Sequence, residues 1–512
     1  MTYRSLARFA LTPLLVVMLL ALGPAAFARS APESFADLAE KLLPAVVNIA
    51  TTTKITDAGR SDPDLEELFR QFFDRQRRGQ GDQNGDQNGD QNQNGDQNGD
   101  NGGQNGDNGG GDSGPREATS LGSGFIIDPS GYIVTNNHVI EGAEEITVRM
   151  QDNTEYKAKL IGHDPKTDLA LLKIEAPSPL PSVEWGDSDK ARIGDWVLAI
   201  GNPFGLGGTV TAGILSARQR DINAGPYDDF LQTDAAINRG NSGGPMFNTD
   251  GKVIGINTAI FSPSGGSIGI GFALPSSLAK GVIQQLRQYG HPRRGWLGVR
   301  IQSVTPELAE GLKMPKPMGA LIAAVTDGGP ADKAGIRQGD VVIKFDNKDI
   351  DEMRHLPRIV AETAFDTSVP VVVLRQGKEM TFQVKIGELD ETAEAKTADT
   401  GTQPTKPKAP EGAKTILGLS LAEMTEQLRQ RYNIADEAAG VVVLNVDSKS
   451  NAAGKGLKAG DVIVEVDQKA VATPADVEKR IAAAKANGYG VVTFLIYRQG
   501  DFQWVAVRTD QG

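Results

Sequence analysis

Gly240-Asn241-Ser242-Gly243-Gly244-Pro245 contains the pattern Gly-x-Ser-x-Gly, which surrounds the nucleophile of several serine hydrolases. An α/β-hydrolase places its acid and its histidine after this serine, whereas a chymotrypsin-like enzyme has the order His, Asp, Ser. Upstream of Ser242 lie His138, within Thr-Asn-Asn-His-Val, and Asp168, in front of an apolar run. The order His138, Asp168, Ser242 predicts a chymotrypsin-like catalytic triad and argues against an esterase of the α/β-hydrolase type.

These residue types suit acyl transfer. A serine hydroxyl is a poor nucleophile until a neutral imidazole accepts its proton, and this is the role we assign to His138. Asp168 is expected to fix the imidazole tautomer and to stabilise the imidazolium. Glycines let the backbone turn sharply, so that N–H groups can point at the developing oxyanion. We expect this oxyanion hole in the turn formed by Gly240, Asn241 and Ser242, with Gly240 and Ser242 as its main donors.

The region between residues 115 and 290 is rich in short strands. Apolar or β-branched runs, separated by Gly, Pro, Asn and Asp, lie at 125–127, 132–134, 146–148, 169–174 and 197–200. No long helices alternate with these runs, so a doubly wound parallel sheet is not expected. The pattern predicts a mainly β domain, a barrel or a sandwich, closed by a helix at 276–289. The order His138, Asp168, Ser242 favours a chymotrypsin-like double β-barrel.

The C-terminal half contains two copies of one module. Residues 319–325 and 334–342 resemble residues 440–446 and 455–463, and both pairs are offset by 121 positions. A stretch rich in Thr, Lys, Pro, Ala and Glu separates the copies and is typical of a tether. We expect a first module over 291–388, a linker over 389–414 and a second module over 415–512.

The N-terminus has the features of a secretory signal. Arg4 and Arg8 precede an apolar run over 9–22, and Ala-Phe-Ala at 26–28 resembles a cleavage site. The run is short for a membrane span, although an uncleaved anchor is the alternative. The sequence predicts a signal peptide over 1–28, export of the protein and a protease domain over 29–290.

A loop insert is expected at about residues 55–115 within that domain. Residues 79–114 contain only Gly, Gln, Asn and Asp apart from Ser113, and such a stretch cannot bury enough apolar surface to repay the entropy of ordering. Just before it, apolar residues at helical spacing predict a short amphipathic helix over 64–73. That helix either packs on its own domain or presents its aromatic side chains to another surface.

Composition excludes several classes of site. The chain has 512 residues, no Cys and four His, so disulfides, cysteine nucleophiles and thiolate zinc sites are excluded. The zinc-protease pattern His-Glu-x-x-His is also missing, and we expect neither a metal nor a cofactor. A net charge of -12 gives no basic footprint for nucleic acid at the level of the whole chain. We read His163 as a turn residue beside Asp164-Pro165.

The motifs around His138, Asp168 and Ser242 resemble those of the HtrA/Deg family of exported serine proteases, and most of all its DegP-like members. The resemblance extends over 255–260 and 269–273 and covers essentially the whole chain after the signal peptide. It implies that the two modules are PDZ domains. It also implies periplasmic quality control of unfolded or misfolded proteins, binding of peptide C-termini, chaperone activity and a trimer-based homo-oligomer.

The resemblance also implies roles for further residues. Three isoleucines match positions that shape the S1 pocket and would favour a small aliphatic P1 residue. Two loops match the carboxylate-binding loops of PDZ domains, which grip a peptide C-terminus while the peptide adds a strand to the sheet. Aromatic residues of the insert match a regulatory loop, here extended by 36 residues of low complexity. These residues are Ile237, Ile260 and Ile270 for S1; Trp296, Leu297, Gly298, Val299, Ile416, Leu417, Gly418 and Leu419 for the PDZ loops; and Phe69, Phe72 and Phe73 for the regulatory loop.

Two functions compete at this point. The leading one is a serine endopeptidase with PDZ-assisted capture of substrate. The alternative is a PDZ scaffold or holdase chaperone with minor peptidase activity. The intact set of His138, Asp168 and Ser242 favours the enzyme.

Overall fold

A computed structural model describes most of the chain after its N-terminal segment. The described residues are 32–55, 116–203, 207–238, 240–262, 267–390, 414–436 and 438–509. The predicted signal peptide, the amphipathic helix with Phe69, Phe72 and Phe73, and the low-complexity run over 79–114 lie outside these residues.

The chain divides into two units. The described residues of the first unit lie within 1–163, 168–220 and 229–283, and those of the second within 164–167, 221–228 and 284–512.

The first unit is built from two antiparallel β structures. A seven-stranded sheet has the order β5-β4-β1-β2-β3-β7-β6, and a closed six-stranded barrel has the order β10-β13-β12-β11-β8-β9. The strands are β1 (Val46–Ile55), β2 (Arg116–Asp128), β3 (Tyr132–Thr135), β4 (Glu145–Arg149), β5 (Glu155–Lys157), β6 (Lys159–Asp164), β7 (Leu169–Lys173), β8 (Trp196–Gly201), β9 (Thr209–Arg220), β10 (Phe230–Thr233), β11 (Pro245–Asn248), β12 (Val253–Ile260) and β13 (Gly271–Pro275). The helices are α1 (Ala36–Leu42), α2 (Asn137–Ile140) and α3 (Ser276–Tyr289), with 3₁₀ turns at Leu43–Ala45 and Ser188–Lys190.

Alternating burial explains how these sequences form strands. In β4, Ile146 and Val148 are buried while Glu145 is exposed, as expected for a strand with one face on a core. Strand β7 is buried over Leu169–Leu172, so both of its faces are covered. The predicted mainly β, chymotrypsin-like fold is confirmed, and α3 begins and ends where the helical pattern predicts.

The second unit contains the two repeated modules. The first has β14 (Gly295–Trp296), β15 (Val299–Ser303), β16 (Ala320–Val325), β17 (Val341–Phe345), β18 (Lys348–Asp349), β19 (Ser368–Arg375), β20 (Lys378–Lys385) and β21 (Gly387–Glu388), with α4 (Pro306–Gly311), α5 (Pro330–Ala334) and α6 (His355–Glu362). The second has β22 (Lys414–Ile416), β23 (Leu419–Glu423), β24 (Val441–Val446), β25 (Val462–Val466), β26 (Val491–Arg498) and β27 (Asp501–Arg508), with α7 (Glu426–Tyr432), α8 (Asn451–Gly454) and α9 (Pro474–Ala486).

The repeat extends to buried polar contacts. Asp340 is 1% exposed and accepts two hydrogen bonds of 2.7 Å from the Arg375 guanidinium. Asp461, also 1% exposed, accepts two of 2.6 Å from Arg498. Each carboxylate also receives a backbone N–H from three residues upstream, which leaves neither charge buried without partners. The two modules therefore hold the residue before β17 and the residue before β25 with the same carboxylate–guanidinium contact.

A hydrophobic cluster joins the two modules within the second unit. Trp504 of β27, 1% exposed, packs with Leu321 and Ile343 of the first module, and its indole N–H donates to the Ile322 carbonyl at 3.1 Å. The Gln302 side chain binds both the N–H and the carbonyl of Trp504. These contacts fix the modules to each other.

Candidate active site

His138 and Asp168 form a directly coupled pair. The imidazole Nδ1 lies 2.7 Å from Asp168 Oδ2, and the backbone N–H of His138 donates to Oδ1 at 2.9 Å. The side chains are 22% and 25% exposed, so one edge of the pair remains accessible to a substrate. One carboxylate thus holds both the ring and the backbone of the histidine, and the nitrogen that faces away from it is Nε2.

The backbone of Asp168 supports this arrangement. Its φ of 55° is left-handed, a conformation that non-glycine residues seldom adopt and that clusters at functional sites. Its carbonyl accepts the Asn137 N–H at 3.1 Å and the Asn136 side-chain amide at 2.8 Å. Asn136 also donates to Thr258 Oγ1 at 3.2 Å. No role was predicted for Asn136, although it lies in the same motif as His138.

The loop that carries Ser242 lies against the segment that carries His138. A Cβ on Gly243 would come within 2.2 Å of the Ser123 carbonyl and 3.1 Å of the Asn136 amide nitrogen, so only glycine allows this close approach. The Ser242 carbonyl accepts the Ser123 N–H at 2.9 Å. The structure therefore brings Ser242 to the His138 side of the site. Among the described residues, no hydrogen bond joins the Ser242 hydroxyl to the His138 imidazole.

The turn before Ser242 contains two N–H groups suited to an oxyanion. The Asn241 N–H is engaged by the Asn238 carbonyl at 3.0 Å. Within the described part of the chain, no group accepts a hydrogen bond from the N–H of Gly240 or Ser242. Gly240 has a φ of 90°, which this turn requires. The geometry thus favours Gly240 and Ser242 as donors and does not support Asn241.

The three predicted S1 isoleucines surround one glycine of the barrel. Ile260 is the strand partner of Gly271, and Ile270 is its neighbour in the chain. A Cβ on Gly271 would come within 2.7 Å of the Ile237 side chain. Ile237 is 2% exposed, whereas Ile270 is half-buried. Ile237 and Ile260 pack in the same hydrophobic cluster of the barrel, and Ile270 follows in the chain directly before their shared neighbour Gly271, so the S1 assignment of the three stays a prediction.

The remaining histidines lie elsewhere. His163 is part of β6 rather than of a turn, because the strand continues to Asp164, and its Nδ1 lies 2.6 Å from the Asn137 side-chain oxygen. His291 contacts the Pro292 carbonyl, and His355 begins α6. In the described ranges, no cluster of three or more His, Cys, Asp or Glu could hold a metal ion.

The two predicted carboxylate-binding loops have different backbones. In the first, Gly298 has a φ of 77° and Val299 opens β15 at the edge of its sheet. In the second, both Leu417 and Gly418 have positive φ, at 50° and 76°. The second loop is therefore a tight turn, and it joins β22 to β23.

Comparison with known proteins gives the context of these features. The chain matches the trypsin-like peptidase domain family over 122–256 and the PDZ domain family over 295–386 and 416–509. It is 41% identical to a probable periplasmic serine endoprotease DegP-like of Rickettsia conorii, over 95% of this chain and 91% of that protein. A protein of the same description from Rhizobium meliloti is 46% identical, over 76% of each chain. The chain belongs to the DegP-like family of periplasmic serine endoproteases.

Solved structures agree with this assignment. The HtrA-type protease AlgW with a decapeptide is 38% identical and matches 70% of this chain and 99% of its own, with a TM-score of 0.53. This DegP-like chain is thus a periplasmic serine endopeptidase with PDZ domains, as predicted. Among the residues that the structure describes, no helix is long and apolar enough to cross a membrane.

The histidine of this DegP-like protease has a shifted pKa. Burial lowers the pKa of His138, but the charge and the hydrogen bond of Asp168, with a smaller effect of Glu141, outweigh it and raise the pKa above its ordinary value. The general base must be neutral to accept a proton, so activity should be lost as the pH falls through this raised pKa.

Proposed function

We propose that Ser242, His138 and Asp168 hydrolyse peptide bonds through an acyl-enzyme. His138 Nε2 takes the proton of the Ser242 hydroxyl as Oγ bonds to the scissile carbonyl carbon, and the N–H groups of Gly240 and Ser242 stabilise the resulting oxyanion. The imidazolium then gives its proton to the leaving amine, and the C–N bond breaks. Water hydrolyses the acyl-enzyme by the same steps. The observation that carries this proposal is the contact of one carboxylate with both the ring and the backbone of His138.

The three isoleucines support a P1 preference for Val or Ala. Three aliphatic walls would favour a small aliphatic side chain, and such a pocket discriminates weakly because one methylene is worth only about 1–3 kcal/mol. Weak discrimination at a single pocket fits cleavage at many positions of an unfolded chain.

Widening the pocket should change this preference. In Ile270→Ala, cleavage after Leu should rise relative to cleavage after Val by about tenfold or more, since the variant removes several carbons from the pocket wall. Hydrolysis of two fluorogenic peptides that differ only at P1 measures the ratio. Ile268→Ala is the matched control, because Ile268 is two residues away and 51% exposed. An unchanged ratio in Ile270→Ala would remove Ile270 from the pocket.

Unfolded polypeptides are the proposed substrates. The test compares two forms of one substrate protein: the native form, and the form unfolded by reduction and carboxymethylation of its cysteines. We expect the unfolded form to be cut at least about a hundredfold faster, because a folded domain exposes unfolded chain only in a fraction of order 10⁻³ or less. Initial rates from the loss of intact substrate give the comparison. Equal rates on the two forms would contradict selection for unfolded chains.

PDZ-assisted capture is the second part of the proposal. It is supported by the edge position of β15, which can receive a peptide as an added strand, and by the AlgW structure, which holds a decapeptide. Capture on the same chain as the protease domain raises the effective concentration of substrate.

A trimer-based homo-oligomer is the proposed assembly. Ile193 and Trp196 are 65% and 37% exposed, and Phe35 contacts the Trp196 ring with centroids 5.8 Å apart. Large apolar side chains exposed together are typical of an interface. We expect Trp196→Asp to shift the protein from an oligomer to a monomer in light scattering after size exclusion. Met380→Asp is the control at an exposed site of the second unit. A wild-type monomer, or an oligomer unaffected by Trp196→Asp, would contradict this surface.

A further inference from the structure

The second PDZ domain already holds a strand at its peptide-binding edge. The sheet order is β22-β23-β24-β25-β26-β27, so β22 occupies the free side of β23. The register pairs Ile416 with Leu419 and Lys414 with Leu421 in antiparallel fashion. A captured peptide adds to this same side of the strand that follows the carboxylate-binding loop. In the first domain, by contrast, β14 pairs with β21, and no strand in the described ranges pairs with the outer side of β15.

The direction of β22 is that of a bound peptide. A peptide held by its C-terminus runs antiparallel to the receiving strand and ends at the loop before it. Residues 414–416 run antiparallel to β23 and end at that loop, with Ile416 in the place of the terminal residue. The Ile416 side chain packs on the hydrophobic core that includes Leu419, Leu421 and Val477. Thus Lys-Thr-Ile lies where a peptide ending in an aliphatic residue would lie.

The helix beside the groove also contacts β22. The Lys414 ammonium binds the Glu478 carboxylate, which lies on α9. Val477 and Ile481 of α9 are buried in the same core as β23. The strand therefore touches both elements that would enclose a peptide. Lys414 and Glu478 are about half exposed, so this ion pair locates the strand but contributes little to its stability.

The same dipeptide forms the loop in both domains but with different backbones. Leu417 and Gly418 are both left-handed, as in the two-residue turn of a β-hairpin. In the first domain only Gly298 of the Leu297-Gly298 pair has a positive φ, so the chain does not fold back on β15. Leucine seldom adopts this conformation, and Leu417 is held in it while its side chain is 8% exposed.

We infer that residues 414–416 are a built-in ligand of the second PDZ domain, which closes the peptide-binding edge of β23 to C-termini from other chains. This inference rests on the proposed function of PDZ capture. The second groove becomes available only when β22 separates from β23. The expectation that Ile416, Leu417, Gly418 and Leu419 bind a peptide directly is revised accordingly.

Hydrogen exchange read by mass spectrometry tests this assignment. The protein is the full chain with Ser242→Ala, which protects added peptides from cleavage. The probe is the octapeptide Ala-Pro-Glu-Gly-Ala-Lys-Thr-Ile, identical to residues 409–416, with a free C-terminal carboxylate. The unlatched variant, in which β22 should separate from β23, adds Lys414→Pro and Ile416→Asp. The first removes an N–H that pairs β22 with β23, and the second removes the apolar side chain that packs on the core. Lys414→Arg is the matched control, since it keeps the strand and the ion pair.

We expect residues 419–423 to be protected without peptide in the parent and in Lys414→Arg, and to gain nothing when the octapeptide is added. In the unlatched variant these amides should exchange at least about tenfold faster, and the octapeptide should restore their protection. Peptide-induced protection of the same size in the parent would overturn the inference, and so would unchanged exchange in the unlatched variant.

Two further readouts keep the outcome clear. Residues 491–498 report whether the second domain is still folded. If they lose protection, Lys414→Pro alone replaces the double variant, because it removes a ladder N–H and keeps the Ile416 side chain on the core, and it should accelerate exchange at 419–423 in the same direction. Residues 299–303 report peptide binding by the first domain. If the octapeptide does not protect residues 299–303 while residues 419–423 behave as expected, the proposed capture of peptides by the first domain is contradicted. The inference that residues 414–416 are a built-in ligand is then still supported.

Discussion

Replacing Ser242 with Ala should lower kcat for peptide hydrolysis by roughly 10⁴- to 10⁶-fold. Alanine has no hydroxyl, so no acyl-enzyme can form and His138 has no nucleophile to activate. The variant keeps the N–H groups of Gly240 and Ser242, since both belong to the backbone. What remains should be the small acceleration that binding and the oxyanion hole supply without a nucleophile. A fluorogenic peptide with Val at P1 measures the loss in both kcat and kcat/KM.

Ser216→Ala is the matched control for this experiment. Ser216 lies in β9 of the same barrel, is half-buried and has no assigned role in catalysis. Its replacement should leave kcat unchanged within about twofold, as expected for a side chain away from the reacting atoms. Activity retained by Ser242→Ala would remove Ser242 as the nucleophile. Thermal unfolding of both variants shows whether a loss of activity is only a loss of folded protein.

Replacing Asp168 with Asn should lower kcat by about 10⁴-fold with little change in the fold. The amide can still accept the His138 N–H, which Oδ1 accepts at 2.9 Å in the native protein. Its NH₂ group would then donate towards Nδ1, which forces the ring proton onto Nε2. In that tautomer Nε2 cannot accept the proton of the Ser242 hydroxyl.

The pH dependence provides a second readout of Asp168. In the native enzyme kcat/KM should rise with pH through a midpoint above about 6.5, because Asp168 raises the pKa of His138. Without the carboxylate, burial is the main remaining influence and lowers the pKa, so the midpoint of the residual activity should move to more acidic pH. Asp250→Asn, in an exposed turn of the barrel, should change neither quantity. A midpoint that stays in place in Asp168→Asn would contradict the coupling.

The protease fold and the contact between His138 and Asp168 could be predicted from the sequence. The order of His138, Asp168 and Ser242, together with short strands and turn residues, was sufficient for the fold class. What it did not predict is how the site is held: the left-handed backbone of Asp168 and the bonds of Asn136 depend on contacts between residues far apart in the chain. Strand β9 has only Val210 and the pair Ile214-Leu215 as large apolar residues in twelve positions, so only its pairing with β8 and β10 identifies it.

The two PDZ loops show a different limit. Leu-Gly occurs in both, at 297–298 and at 417–418, and local sequence gives the two pairs the same preference. Their backbones differ because the segment before the first loop pairs with β21, whereas the segment before the second returns along β23. Pairing with segments elsewhere in the fold thus decides whether the strand after the Leu-Gly pair has a free edge, as β15 has, or a covered one, as β23 has.

Covalent labelling with diisopropyl fluorophosphate tests the central claim most directly. An activated serine displaces fluoride and keeps the phosphoryl group, so the label reports the nucleophile itself. Mass spectrometry of the digested protein should find the adduct on Ser242, approaching one per chain, and His138→Ala should suppress it because the hydroxyl then lacks its base. A label on another serine, or an unlabelled Ser242 in protein that still hydrolyses peptides, would contradict the account.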